Sequence, residues 1–156
     1  MRHDDVPDDL KRLAFDFFYW FSRFEFALKE AGFLKSTKKG AKAEANWAGF
    51  IAKYSSVYVL TAAGQALIVA NPQRQIVSGP GELTFGDVST APASGQLERV
   101  VELARAVRNN LFHGGKHGDD YWDEPARMEM LLKTTIKVLG ELAEMADLQE
   151  DYKRYY

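Results

Sequence analysis

Apolar and polar positions alternate along this chain at spacings of three and four in four separate stretches, the period of amphipathic helices. The first stretch covers residues 8–31. Its apolar set is Leu13, Phe15, Phe17, Phe18, Tyr19, Trp20, Phe21, Phe24, Phe26 and Leu28, leaving Arg12, Asp16 and Arg23 as a narrow wet stripe. Asp8 and Asp9 suit its positive N-terminal end, and Gly32 is its natural stop. A helix that greasy needs cover on most sides. Either a thick core supplies it, or a second copy of the chain does, and a homodimer is the expectation.

A basic loop follows at residues 35–42, which ordinarily reads as a solvated turn. The second helix is expected over residues 41–62, with Trp47, Phe50, Ile51, Tyr54 and Tyr58 at helical spacing. Residues 54–60 are rich in β-branched and aromatic types and could pass for a strand. Alternatively the helix continues to Ala70, because Asn71-Pro72 is the unambiguous breaker. Residues 71–95 hold three prolines and four glycines, and Ser78-Gly-Pro-Gly81 lies between two short β-type runs, so a surface hairpin is expected within an insert. Ser94 should cap a third helix that Gly114-Gly115 ends after His113. Asp123, Glu124 and Pro125 open a fourth, whose apolar face is Leu131, Leu132, Thr135, Val138, Leu139, Leu142 and Met145. The tail, residues 152–156, is expected to fray. The fold expected from this pattern is all-α: an up-and-down four-helix bundle with an irregular hairpin insert between helices 2 and 3.

Composition narrows the field. The 156 residues suit one domain, and 46% hydrophobic content supports a core. Twenty basic against 22 acidic residues exclude a generic basic nucleic-acid coat, so phosphate contact needs a local cluster. The absence of cysteine removes disulfides, thiolate catalysis and zinc-thiolate sites. Residues 2–9 do not read as a secretory signal, and no apolar run is free enough of charge to span a membrane; a cytoplasmic protein is the expectation. Aromatics number 20, eight of them within residues 15–26.

The chemistry concentrates at the end of the third helix. On its wheel, Leu97 and Val101 fall within about 20° of Arg108, and Ala104 and Leu111 within about 60°, so Arg108 sits on the stripe that faces the core. A guanidinium keeps its proton, and burying it unpaired costs several kcal/mol. Either a carboxylate on another helix satisfies it, or it looks into a crevice where an anion binds. Asn109 and His113 are neighbours at the four-residue spacing, and the negative end of the helix dipole favours a protonated His113.

Arg108-Asn109-Asn110-Leu111-Phe112-His113 resembles the R-x4-H signature of the HEPN superfamily, all-α proteins that include many metal-independent ribonucleases. The aromatic first helix is similar to that family's opening helix, so the resemblance extends over the whole chain, with residues 71–95 as variable insert. It implies a homodimer in which Arg108 and His113 of both copies line one cleft that cuts RNA. Arg108 would stabilise the charge on the pentacoordinate phosphate, His113 would act as general base or acid, and Asn109 would orient the phosphate or the imidazole. The product would carry a 2′,3′-cyclic phosphate, and DNA would resist. A toxin or defence effector with an antitoxin partner fits such a role. Some family members carry a tyrosine two residues after the histidine, the target of a partner nucleotidyltransferase; Gly115 stands there instead, which puts that regulation in doubt.

Other residues complete the list of candidates. Arg105, Lys116 and His117 could contact substrate, and the basic run of residues 35–42 could guide RNA if it lies beside the cleft. Glu25, among apolar neighbours on the first-helix wheel, could pair with Lys29 or Arg108 and organise the site. His113, His117, Asp119 and Asp120 invite a metal reading, but the intervening glycines break the helix an H-x3-H pair would share, so no metal and no cofactor are expected. Gly114-Gly115-Lys116 lacks the spacing of a phosphate-binding P-loop, and no serine has a nucleophile elbow. Three functions compete: an endoribonuclease, a module that binds RNA or a nucleotide without cleaving it, and an interaction protein whose aromatic helix docks on a partner.

Overall fold

The computed structural model describes residues 6–90, 95–113 and 125–154. Helix α1 spans Asp8–Glu30, with Asp8 and Asp9 in its first turn. Gly32 ends it at φ +83°: the Phe33 amide donates to the Leu28 carbonyl at 2.8 Å and the Gly32 amide to Lys29 at 3.0 Å. That pair of reversed hydrogen bonds is a Schellman closure, which needs a residue at ease with positive φ.

The long second helix expected from the apolar spacing is two short ones. Helix α2, Trp47–Tyr54, starts where the Asn46 carboxamide accepts from the Gly49 amide at 2.9 Å. Helix α3, Ala62–Ala70, starts where the Thr61 hydroxyl, on extended backbone, accepts from Gly64 at 3.0 Å. Two N-caps in one stretch define two helix starts, and β-branched Val57 and Val59 between them are exposed. Asn71, at φ 43°, closes α3 ahead of Pro72, as its dipeptide indicates.

Strands β1 (Arg74–Gly79) and β2 (Glu82–Gly86) form the antiparallel hairpin expected around residues 78–81, with Gly81 at φ +78° in its turn. Helix α4 covers Gln96–His113 and α5 covers Pro125–Met145. Ser94, Asp123 and Glu124, read as helix-opening residues, lie outside the described residues. The apolar face read for α5 is buried from Leu131 through Leu142, with Met145 packed at its margin.

The chain is therefore not the pure four-helix bundle expected from its sequence. Among the described residues there are six helices and a two-stranded sheet, with α1 laid against α5, and α3 against both α4 and α5. The sixth helix, α6 (Gln149–Lys153), corrects the expectation of fraying at Tyr152 and Lys153, while residues 155–156 lie outside the described residues. Asp147 takes φ 55° and turns the chain back, so that Leu148 and Tyr152 enter the core. Tyr152 is 3% exposed, with its ring 5.0 Å from that of Trp20 and 6.1 Å from that of Phe24. Arg23 fastens the return by donating to the carbonyls of Asp151 and Tyr152. Most of the greasy first helix is thus covered within its own chain, by α5, α6 and the Trp47–Phe50 turn of α2. Phe15, Phe18 and Tyr19 stay exposed.

Burial pushes the Tyr152 phenol above its ordinary value, and burial does the same to Tyr58. A raised folded pKa contributes stability that is complete below the unfolded value, about pH 10, and is lost as pH rises beyond it. Urea unfolding at pH 8 and pH 11 should therefore show an alkaline loss that Tyr152→Phe reduces. An equal loss in the variant would show that the phenol does not reach a dry environment.

Candidate functional site

Helix α4 turns Leu97, Val100, Val101, Ala104 and Val107 into the core and carries Arg105, Arg108 and Asn109 on its flank. Arg108 lies at the edge of the apolar stripe instead of within it, its side chain 37% exposed. Of the two fates open to it from sequence, a carboxylate on another helix or a crevice, the structure shows something of each. Its Nη2 stands 3.9 Å from Oε2 of Glu25, and its Nη1 donates to Oδ1 of Asn109 at 3.0 Å. The guanidinium also lies over the rings of Phe21 and Phe112, at 5.7 and 5.8 Å from their centroids. Glu25 divides itself, since its Oε1 accepts from Nε1 of Trp47 at 3.1 Å. Of the two partners considered for Glu25, Arg108 is the one in ion-pair range, and the carboxylate holds the arginine loosely.

In front of this group is a polar cavity of about 350 Å³. Glu25, Lys29 and Phe21 of α1 form one wall, and Arg105, Arg108 and Asn109 of α4 the other. The loop between α1 and α2 closes it. A bridge between Leu34 and Ala45 pinches the base of that loop, with the Lys35 amide donating to the Glu44 carbonyl and the Asn46 amide to Phe33. Lys35 and Lys42 consequently flank Glu44, at 3.3 and 2.9 Å, and both line the cavity. The Lys42 ammonium, and after it Lys35, hold the Glu44 carboxyl below its ordinary value. Five basic side chains face two acidic ones across one recess, in a chain whose net charge is −2. A local cationic excess of this kind is what a phosphate-bearing ligand needs.

Two smaller recesses adjoin it. One, about 250 Å³, lies between Phe18, Phe21 and Ser22 of α1 and Arg108 and Phe112 of α4. The other, about 220 Å³, runs from Arg105 and Asn109 to Arg74 at the start of β1. Arg108 is a shared wall of the first pair, and Arg105 of the second. Arg105 itself is bonded to Glu102 at 2.6 Å, one turn back.

The structure thus brings Glu25, Arg105, Arg108 and Asn109 together. The backbone carries His113 to the last position of α4, one turn beyond Asn109; its side chain, and all of Lys116 and His117, lie outside the described residues. The metal reading of residues 113–120 falls in the same place. Sequence reasoning offered the basic run of residues 35–42 as a guide for RNA but could not place it; Lys35 and Lys42 line the cavity. The basic run was visible, but nothing local said that its loop would return to α4. Sequence reasoning missed the second asparagine of the motif: Asn110 is buried and donates to the Gln73 carbonyl at 2.6 Å. With Arg99 donating to Asn71 and Val88, that bond ties the hairpin's base to α4.

Among the described residues, no helix is long and apolar enough to cross a membrane. Comparison of the chain with protein-family models, with curated proteins and with solved structures finds no match, so what it does is inferred from its own side chains.

Proposed function

We propose that this chain is an endoribonuclease whose substrate phosphate is held by Arg108 in the cationic recess between α1 and α4. One observation carries the reading: a guanidinium held, among the described residues, by a 3.9 Å carboxylate, a neighbouring amide and two ring faces, and facing a recess rich in lysine and arginine. The resemblance of residues 108–113 to the R-x4-H signature supports it from the sequence side.

In this reading the 2′-oxygen attacks phosphorus as His113 takes its proton, the P–O5′ bond breaks, and an acid protonates the departing 5′-oxygen. Arg108 meets the charge that grows on the non-bridging oxygens, and Asn109, already bonded to Arg108, fixes its orientation. Pairing of two copies would supply the second imidazole as the acid. Products are a 2′,3′-cyclic phosphate and a 5′-hydroxyl.

Because imidazoles move the protons and a guanidinium carries the charge, cleavage is expected to persist in excess EDTA. Purified protein is incubated with RNA and with DNA of the same sequence, beside His113→Ala, and products are read by mass spectrometry. RNA cut to cyclic phosphate by wild type alone is the expected result. RNA bound but left whole would make the site a binding module, and cleavage undiminished in His113→Ala would overturn the assigned chemistry.

A further inference from the structure

We infer that Phe18 and Phe112 form a shelf on which one unpaired base of single-stranded RNA stacks while its phosphate lies against Arg108. This deepens the proposed function and rests on it. The two rings are exposed, 46% and 48%, on different helices, and their centroids are 5.5 Å apart at a tilt of 48°. They form the mouth of the recess that shares Phe21, Glu25 and Arg108 with the cationic cavity. An aromatic surface and a phosphate-sized charge cluster therefore meet at a single arginine.

Charge complementarity selects the occupant. An apolar side chain from a protein partner would strip water from the Arg108 guanidinium and bring no anion to replace it. A nucleotide brings both parts at once: a flat ring for the shelf and a phosphate for the cation. A paired base is hidden inside its duplex, whereas a splayed base offers a face to an aromatic ring. Single-stranded RNA is thus the class that fits.

The test uses a 2′-O-methylated oligoadenylate, which binds without offering a nucleophile, and an abasic oligomer of equal length and charge. Affinities are read by fluorescence anisotropy with the full chain. Wild type should hold the oligoadenylate about tenfold more tightly than the abasic strand. Phe18→Ala and Phe112→Ala should close that gap, and Phe18→Trp should keep it. Arg108→Ala should weaken both oligomers. If the gap survives in both alanine variants while Arg108→Ala weakens binding, the shelf is wrong and the phosphate site stands. If wild type binds neither strand, the functional reading falls and the shelf with it. Should solution mass show that Phe18→Ala turns a dimer into a monomer, the patch is an interface between copies and the inference is overturned.

Discussion

Arg108→Ala is expected to lower RNA cleavage by about 10²–10³-fold, the usual loss when one donor to a developing oxyanion is removed. The same change should leave the protein folded. Arg108 is more than a third exposed, and its ion pair with Glu25 spans 3.9 Å, a range at which such pairs contribute about 0–1 kcal/mol. Glu25 is not orphaned by the loss, because the Trp47 indole still donates to it. Arg108→Lys keeps the charge and loses the planar fork, so it should retain phosphate binding better than it retains cleavage. Single-turnover cleavage and thermal unfolding, measured on the same preparations, separate these effects. A folded Arg108→Ala protein that cuts at the wild-type rate would remove Arg108 from the chemistry.

Phe24→Ala should produce the largest loss of stability, about 3–5 kcal/mol. Phe24 is fully buried, and its ring is 5.2 Å from Trp47 in a stacked pair, 5.7 Å from Phe50 and 6.1 Å from Tyr152 in edge-to-face pairs. It is the point where α1, α2 and α6 meet, so the cavity left by its removal cannot be filled by moving one neighbour. Against a total stability of about 5–15 kcal/mol this is a large share, and the melting temperature should fall by roughly 10 °C. Urea and thermal unfolding check it, with the exposed Phe18→Ala as comparison. A fall no larger than that of Phe18→Ala would mean that the aromatic cluster does not carry the core. Loss of Trp47 packing would also loosen Glu25, so Phe24→Ala should weaken the site at a distance.

The candidate site was legible in part. Arg108, Asn109 and Glu25 stood out because a charge near an apolar stripe is visible on a helical wheel, and the structure brings the three together. The wheel placed Arg108 inside the stripe, whereas the side chain ends at its edge, over Phe21 and Phe112. A wheel gives direction from one helix axis and says nothing of where the facing helix stops. Lys35 and Lys42 were readable as basic and not as neighbours of Arg105, since some 60 residues of chain separate them.

By itself the sequence determined what a few consecutive residues decide: the start of α1 at its paired aspartates, its Gly32 closure, the break at Asn71-Pro72, the hairpin turn, and the apolar face of α5. Caps, turns and helical period act over one or two turns of backbone, so they are written locally. Tertiary structure decided the division of the second helix, the docking of Tyr152, the anchoring of the hairpin by Asn110, and the assembly of the cationic recess. Each of these depends on which distant surface arrives to cover a side chain. The four-helix expectation failed for that reason: apolar spacing announces that a segment must be covered, and only packing determines by what.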